Sequence, residues 1–310
     1  MSTTLPDLGC LLTEQRNPKT MALDTFTPLQ IAKAMNQEDR RAVDAVQAVL
    51  PQVAQVITWA TQSLSEGGRI LYVGAGTSGR LGVLDAVECP PTFGVSPDVV
   101  VGVIADGESA FAKAREGAED SERSGKEDLR ARDLCSKDIV IGLAASGRTP
   151  YVVGALRYAH ALGCKTVSIS CNPNATISRE ADLAIEAVTG PEVLTGSTRL
   201  KAGTAQKLIL NMISTGSMVG IGKAYQNLMV DVQQNNEKLQ ARAQGIICEA
   251  CGCTAEVASA KLDEADGNAK LAIAMLLLEC DADAARTALR EAGGHVRQAV
   301  RNAGSEGRTA

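Results

Sequence analysis

Aromatic side chains, histidine and long apolar runs are all scarce in this sequence. Phe, Trp and Tyr together make up 3% of the 310 residues, and histidine occurs twice. The longest apolar stretch, residues 208–222, contains Asn211 and is too short to span a bilayer, so we expect no membrane partner. The formal net charge is −5 without a long basic block, which argues against a nucleic-acid partner.

Cysteine is frequent by contrast, with nine residues at scattered positions. Residues 1–6 lack the basic and apolar regions of a signal peptide, so we expect a reduced, cytoplasmic setting. Cys248, Cys251 and Cys253 form the one cluster, but the rarity of histidine leaves few further ligands. Buried or incidental thiols are therefore favoured over a metal site, and we expect neither metal nor cofactor.

The most informative pattern is a strand-loop-helix unit that occurs twice and carries Ser-Gly-Arg in both copies, at residues 70–81 and 139–149. Each copy begins with an apolar, β-branched run typical of a buried parallel strand. Small residues and hydroxyls then lead into a helical pattern. Such a turn gathers backbone N–H groups, a helix N-terminus and hydroxyls, which together suit a phosphate dianion.

Two matching loops predict a site that binds a phosphorylated small molecule. The first loop also fits the G-x-G-x-x-G dinucleotide pattern, but Asp106 follows about ten residues too late to be the ribose-binding acid. A third segment, residues 195–204, could close over an anionic substrate, although it equally fits an ordinary N-capped helix start. The predicted binding residues are Gly76, Thr77, Ser78, Gly79, Ser146, Gly147, Arg148, Thr149, Ser197 and Lys201.

Alternation of strands and helices predicts a doubly wound, mostly parallel sheet flanked by helices, which binds its ligand at the carboxyl ends of the strands. Hydrophobic fillers are mainly Ala, Gly and Val, which favours close packing of helices on the sheet. The strands are expected near 69–74, 99–105, 138–143, 166–170 and 183–188. The helices are expected near 79–88, 108–132, 150–162 and 201–222.

The flanking regions have other patterns. We expect an extended arm over residues 1–25, helices near 29–36 and 39–64, and an all-helical C-terminal module. That module has helices near 254–262, 269–278 and 282–292, with 295–302 as a candidate fourth. The predicted organisation is arm and helices 1–56, phosphate-binding sheet domain 57–224, connecting helix 225–251, helical module 252–303 and disordered tail 304–310.

Two glutamates are candidates for acid-base chemistry, and their local patterns differ. Glu88 ends the helix that starts at the first loop, and Pro90-Pro91 is expected to stop that helix. A carboxyl group at a helix C-terminus has a raised pKa when poorly solvated, which suits a general acid, although a surface glutamate fits as well. Glu119 lies in a highly charged helical pattern that by itself indicates solvated surface.

Several segments of the chain resemble the N-acetylmuramic acid 6-phosphate etherase family, from about residue 10 to residue 300. The resemblance implies a sugar isomerase (SIS) domain, a cytoplasmic homodimer and no metal. It assigns the proton donor to Glu88 and the second active-site glutamate to Glu119, and it likens the C-terminal module to a ubiquitin-associated (UBA-like) three-helix bundle. The matching segments are 13–18, 71–82, 88–92, 116–120, 144–151, 170–173, 201–207 and 227–232.

The implied reaction is cleavage of the D-lactyl ether of N-acetylmuramic acid 6-phosphate, by elimination and then addition of water, in the recycling of cell-wall amino sugars. Two alternatives use the same domain type. A non-catalytic sugar-phosphate sensor resembling the glucokinase regulatory protein needs the loops but not the glutamates. An aldose-ketose isomerase needs a base but no ether leaving group.

Overall fold

The computed structural model describes residues 9–113, 117–232 and 237–306. These residues form two compact units. The sheet unit contains the described residues up to Val87 together with Asp98–Ser214. The helical unit contains Glu88–Pro97 and the described residues from Thr215 onward. The domain limits predicted from the sequence stay a prediction.

The sheet unit is built on five parallel strands in the order β2-β1-β3-β4-β5. All residues of β1 and β3 are buried, because helices cover both faces of the sheet. The predicted doubly wound fold and all five predicted strands are confirmed. The strands are β1 (Ile70–Gly74), β2 (Val100–Ile104), β3 (Ile139–Leu143), β4 (Lys165–Ser170) and β5 (Leu183–Glu186).

Two helices, α1 and α2, precede the first strand, and the others come between or after the strands. The first helix begins at a capping box formed by Thr27 and Gln30. Two of them, α3 and α7, begin in the sheet unit and end in the helical unit. The helices are α1 (Pro28–Gln47), α2 (Leu50–Ser65), α3 (Gly76–Phe93), α4 (Ser109–Ala112), α5 (Glu122–Arg130), α6 (Pro150–Ala161) and α7 (Lys201–Gly220).

Helix limits differ from the sequence prediction at the prolines. The predicted break between 36 and 39 is absent, and the chain breaks instead after Gln47. Pro51 explains this position, because its ring has no N–H for the Gln47 carbonyl and clashes with it. Pro90 and Pro91 do not stop α3, which continues to Phe93, so that prediction was wrong.

The helix predicted over 108–132 is also wrong in its extent. The described residues form α4, then a 3₁₀ turn over Ala118–Asp120, then α5, which Ser121 caps through its side chain. Residues 114–116 of the prediction lie outside the described residues. Gly117 adopts φ +81°, a left-handed conformation that an α-helix cannot include.

The N-terminal arm packs on the sheet unit through short 3₁₀ turns, with Thr13, Asn17 and Thr20 buried. Thr20 donates a hydrogen bond to the Val193 carbonyl at 2.8 Å, and Asn17 donates one to the Pro191 carbonyl at 3.3 Å. The arm is therefore anchored by polar contacts to the chain that precedes α7. Residues 1–8 of the predicted arm lie outside the described residues.

The helical unit has its own apolar core, built largely on α10, in which Ala272, Ile273 and Ala274 are fully buried. The three predicted helices of the module are present, and the candidate fourth is α12, which includes residues 304–306. Residues 307–310 of the predicted tail lie outside the described residues. The elements are a short hairpin of β6 (Ala224–Tyr225) and β7 (Leu228–Met229), then α8 (Glu237–Cys251), α9 (Ala255–Glu264), α10 (Ala269–Leu278), α11 (Ala282–Glu291) and α12 (Val296–Glu306).

The described residues were compared with the requirements of a membrane-spanning helix and of a metal site. In the described parts of the chain, none of the helices combines the length and hydropathy needed to cross a bilayer. Within the same residues, no group of three or more His, Cys, Asp or Glu side chains is arranged to hold a metal ion. All nine cysteines are free thiols, including Cys248, Cys251 and Cys253.

Candidate functional site

The two Ser-Gly-Arg loops begin side by side at the carboxyl ends of two neighbouring strands inside the sheet. β1 and β3 are paired neighbours, and their register places Gly74, the last residue of β1, opposite Leu143, the last residue of β3. Neighbouring strands lie about 4.8 Å apart, so the two loops leave the sheet next to each other. The carboxyl edge at β1 and β3 is therefore the candidate site, as the sequence predicted.

The first loop turns directly into α3 and needs glycine at two positions. Gly76, the first residue of α3, has φ +53°. A Cβ at Gly79 would lie 2.6 Å from the Gly74 carbonyl oxygen, so only glycine lets the helix start this close to the strand end. The first N–H groups of α3 have no acceptor within the helix and are directed out of its N-terminus. This is the geometry that suits a phosphate group.

Ser78 lies in the first turn of α3 and contacts α7. Its Oγ is 2.8 Å from Oε1 of Gln206, a residue that is only 1% exposed. Nε2 of Gln206 is buried and has no hydrogen-bond partner among the described residues. The neighbouring Thr77 lies near the start of α7, since a Cβ added at Gly203 would be 3.7 Å from Thr77 Cγ2. The hydroxyl of Ser78 is thus held by a buried amide that the sequence analysis did not include among the site residues.

The second loop, between β3 and α6, is closed by its own hydroxyl. The Arg148 N–H donates to Ser146 Oγ at 3.4 Å, and Gly147 has φ +75° with Ala175 too close for any side chain. Ser146, Arg148 and Thr149 are partly exposed, so their polar atoms can meet a ligand. α6 then starts with Pro150, which fits the first turn of a helix.

Asn172 supports the second loop from behind. It is 1% exposed, and its Nδ2 donates to the carbonyls of Ala145 and Ser146, both at 3.3 Å. Nδ2 also donates to Thr13 Oγ1 at 2.9 Å, and the Thr13 N–H donates to Asn172 Oδ1 at 3.3 Å. The N-terminal arm therefore contributes to the shape of this loop. Sequence reasoning found both residues only as parts of matching segments and gave them no role.

The two arginines of the repeated tripeptide are used differently. Arg80 donates from Nη2 to the Ala110 carbonyl at 2.8 Å and from Nε to the Phe111 carbonyl at 2.9 Å, so it holds the chain at α4. The Arg148 side chain is partly exposed beside the second loop. Of the two, the structure leaves Arg148 the better placed to meet an anion.

The third predicted segment has the geometry of a capped helix start. Lys201, the first residue of α7, is fully buried, and its Nζ lies 2.6 Å from Oε2 of Glu38, which is 3% exposed. The Glu192 carboxylate accepts hydrogen bonds from the N–H groups of Lys201 at 3.3 Å and Ala202 at 2.9 Å. Burial raises the pKa of Glu192, while these N–H groups and Lys201 lower it.

A contact between Lys201 and a substrate would require its pair with Glu38 to open, so the geometry gives no support to that prediction. Ser197, in the loop before α7, is partly exposed, and its predicted role is open on this geometry.

The two candidate glutamates are both exposed. Glu119 lies in the 3₁₀ turn over Ala118–Asp120 of the sheet unit. Glu88 lies on α3 in the part of that helix that belongs to the helical unit. Their predicted role in acid-base chemistry stays a prediction.

A buried polar cluster lies between α3 and α7 close to the candidate site. Oδ1 of Asp85 accepts from Asn211 Nδ2 at 2.7 Å and from Ser214 Oγ at 3.1 Å. Burial raises the pKa of Asp85, while the hydrogen bonds from Asn211, Tyr72 and Ser214 lower it, and the net direction is upward. The sequence analysis gave no role to this carboxyl group.

The sequence is similar to two protein families and to several known enzymes. Residues 52–160 match the glucokinase regulatory protein N-terminal SIS domain, and residues 121–215 match the SIS domain. An N-acetylmuramic acid 6-phosphate etherase of Shouchella clausii is 58% identical, over 94% of this chain and 98% of that protein. The etherase of Pectobacterium atrosepticum is 56% identical, over 95% and 97%. The chain belongs to the N-acetylmuramic acid 6-phosphate etherase family.

Membership of the etherase family confirms the resemblance inferred from the sequence. Among solved structures, a phosphoheptose isomerase from Neisseria gonorrhoeae aligns at a TM-score of 0.47 and 17% identity, covering 60% of this chain and 96% of that one. The parallel sheet of the present protein lies within the residues that match the two SIS-domain families, and it has the SIS fold.

Proposed function

We propose that this protein is an etherase that cleaves the D-lactyl ether of N-acetylmuramic acid 6-phosphate, giving N-acetylglucosamine 6-phosphate and D-lactate. The main support is the sequence identity of 56–58% to two etherases, over nearly the whole length of this chain and of each relative. The reaction would serve the recycling of cell-wall amino sugars.

The binding half of the proposal uses the two loops. The 6-phosphate would be held by the N-terminus of α3, by the hydroxyl of Thr77 and by the second loop. Ser78 would join them when its hydroxyl, which donates to Gln206 Oε1 in this structure, turns toward the phosphate. At the second loop, Ser146 and Thr149 offer hydroxyls and Arg148 offers a cation that can pair with phosphate oxygens. Support comes from the register of β1 and β3, which starts both loops at the same edge. The remaining proposed binding residues are Gly76, Gly79, Gly147 and Ser197.

The chemical half follows from the substrate. The lactate alkoxide is a poor leaving group, but the ring-opened sugar has an aldehyde at C1 that acidifies the C2 proton. A base removes that proton, and the C3–O bond breaks as an acid protonates the departing lactate oxygen. Water then adds at C3 of the unsaturated aldehyde, which completes the balance. Two carboxyl groups with different pKa values can perform these steps without a cofactor.

The family resemblance supports the assignment of residues. Glu88 is proposed to protonate the leaving oxygen and Glu119 to exchange the C2 proton. Both are exposed in this structure, so their side chains are accessible to a substrate.

The two alternative functions have less support. The match to the glucokinase regulatory protein N-terminal SIS domain covers residues 52–160, whereas the etherase relatives match 94–95% of the chain and so extend through the C-terminal module. An isomerase on the same fold would not need an acid for an ether oxygen.

The decisive test is an assay of D-lactate with purified protein and N-acetylmuramic acid 6-phosphate. Elimination followed by addition predicts heavy oxygen from labelled water at C3 of the sugar product and none in lactate, and it predicts deuterium at C2 when the reaction runs in heavy water. Absence of lactate at any enzyme concentration would refute the proposal.

The assignment of Glu88 has its own test, Glu88→Gln, with Glu256→Gln as the matched control. Glu256 is also an exposed glutamate of the helical unit. We expect lactate release to fall at least 100-fold, the order that general acid catalysis contributes, with folding intact. Near-normal release by a folded Glu88→Gln protein would remove Glu88 from this role.

We further propose a cytoplasmic homodimer. Leu84 and Val87 on α3 are 45% and 58% exposed, and Met212 on α7 is 36% exposed, beside the Asp85–Asn211 hydrogen bond. Exposed apolar side chains on adjoining helices are typical of a surface that another subunit covers. Light scattering during size exclusion would give twice the chain mass of 32.3 kDa, and Val87→Asp would shift it toward the monomer.

A further inference from the structure

The turn that carries Glu88 packs as part of the helical unit. Although α3 is one continuous helix from Gly76 to Phe93, the segment Glu88–Pro97 groups with the chain from Thr215 onward. Glu88 is the first residue of this segment. The proposed proton donor is thus supported by the C-terminal module, whose role the sequence left open.

Two prolines make this end of α3 dependent on that packing. Pro90 and Pro91 have no N–H, so the carbonyls of Ala86 and Val87 receive no helical hydrogen bond at the turn that carries Glu88. The backbone of this turn is consequently less restrained by its own helix than an ordinary turn. Contacts with neighbouring residues must fix its position instead.

The contact that ends the helix is with Asp231. Gly94 has φ +62°, and its N–H donates to the Pro90 carbonyl at 2.9 Å, which caps α3. The carbonyl of Asp231 lies too close to Gly94 for any side chain to fit there. The end of α3 therefore rests directly on the backbone of Asp231.

Asp231 is in turn fixed by two lysines of the same unit. Its carboxylate forms an ion pair with Lys270 of α10 and lies 3.4 Å from Lys223 Nζ. The Lys270 side chain is 11% exposed and the Asp231 side chain 14% exposed, so the pair is largely protected from water. α10 is the most buried helix of the module core, which gives the pair a rigid base.

We propose that the Asp231–Lys270 pair positions Glu88 for catalysis, by holding the C-terminal end of α3 on the core of the helical module. This inference rests on the proposed etherase function. Asp231 and Lys270 are positioning residues, since they act through the Gly94 contact and not on the substrate. A C-terminal module with this function is part of the active enzyme.

The experiment compares Asp231→Asn and Lys270→Met with wild type in the lactate assay, in the full-length protein. Lys270→Arg is the conservative variant that keeps the charge. Lys261→Met is the matched control, because Lys261 is a lysine of the same unit whose partner Glu264 is 52% exposed. Binding of the product N-acetylglucosamine 6-phosphate is measured by calorimetry, and folding by thermal melting.

We expect kcat to fall about tenfold or more in Asp231→Asn and Lys270→Met, because small displacements of a catalytic group have effects of that order. KM and product binding are expected within twofold of wild type, with partial recovery in Lys270→Arg and no change in Lys261→Met. If Lys270→Met does not fold, Asp231→Asn carries the test, because it keeps the side-chain shape.

Two results overturn the inference. A folded Asp231→Asn protein with kcat within twofold of wild type refutes the positioning role while leaving the etherase function intact. Wild-type protein that releases no lactate removes the proposed function and this inference together.

Discussion

Replacement of Lys201 by methionine tests whether this residue is structural or meets the substrate. The structure places its ammonium 2.6 Å from Glu38, with both side chains at most 3% exposed. Removal of one partner from such a buried pair leaves the other charge uncompensated and typically costs about 3–5 kcal/mol. We therefore expect Lys201→Met to destabilise the fold strongly.

Two other cations near Glu38 reduce the loss of stability expected for Lys201→Met. Arg41 Nε lies 3.5 Å and Lys19 Nζ 3.7 Å from Oε1 of Glu38, and both of these cations are substantially exposed. They offset part of the lost attraction, which places the loss near the lower limit, about 3 kcal/mol. For a protein of this size, each kcal/mol corresponds to roughly 2–4 °C in Tm, so the expected shift is about 6–12 °C.

The assay is thermal melting of three proteins, Lys201→Met, Glu38→Leu and the double variant. The double variant should regain most of the lost stability, because an apolar pair of similar volume can replace a buried ion pair without net loss. A Tm within about 2 °C of wild type for Lys201→Met, together with a large rise in KM, would refute this reasoning. Lys201 would then face the substrate, as the sequence predicted.

Two further predictions concern the amide and the carboxyl group between α3 and α7. Gln206→Glu places a carboxylate beside Ser78, where it can only accept a hydrogen bond from the serine hydroxyl. Because this carboxylate repels a phosphate dianion, KM should rise about tenfold with a smaller change in kcat. The uncharged Gln206→Met should raise KM less, and equal KM values in the two variants would contradict this prediction. Burial raises the pKa of Asp85 above its ordinary value of 3.8. The protonated carboxyl group therefore stabilises the fold fully below pH 3.8, and this stabilisation is lost as the pH rises through the raised pKa. Melting from about pH 4 to about pH 7 should therefore show the Tm of Asp85→Asn rising relative to wild type, and a constant difference would exclude this titration.

Much of the fold was predictable because its signals are local. The apolar, β-branched runs of β1 and β3 are each five residues long and fully buried, as their composition indicates. The Thr27-Pro28 helix start was likewise predictable from its capping chemistry. Helix ends at prolines were less predictable. Pro51 broke a helix that the apolar periodicity continued, while Pro90 and Pro91 lie inside α3, in the segment Glu88–Pro97 that belongs to the helical unit.

In the candidate site, too, local patterns were predictable and contacts between residues distant in sequence were not. Ser78 and Ser146 were predicted as binding residues because hydroxyls that follow a buried strand are a local pattern, and the sheet register places the starts of their loops side by side. What surrounds them depends on residues distant in sequence: Gln206 meets Ser78 from 128 positions away, and Asn172 meets Thr13 from 159. At Lys201 the local pattern, a lysine at a helix start, predicts an anion site, whereas the structure pairs this lysine with Glu38, 163 positions earlier. A charge is assigned to substrate or to structure by its partner, and that partner is fixed by the tertiary fold.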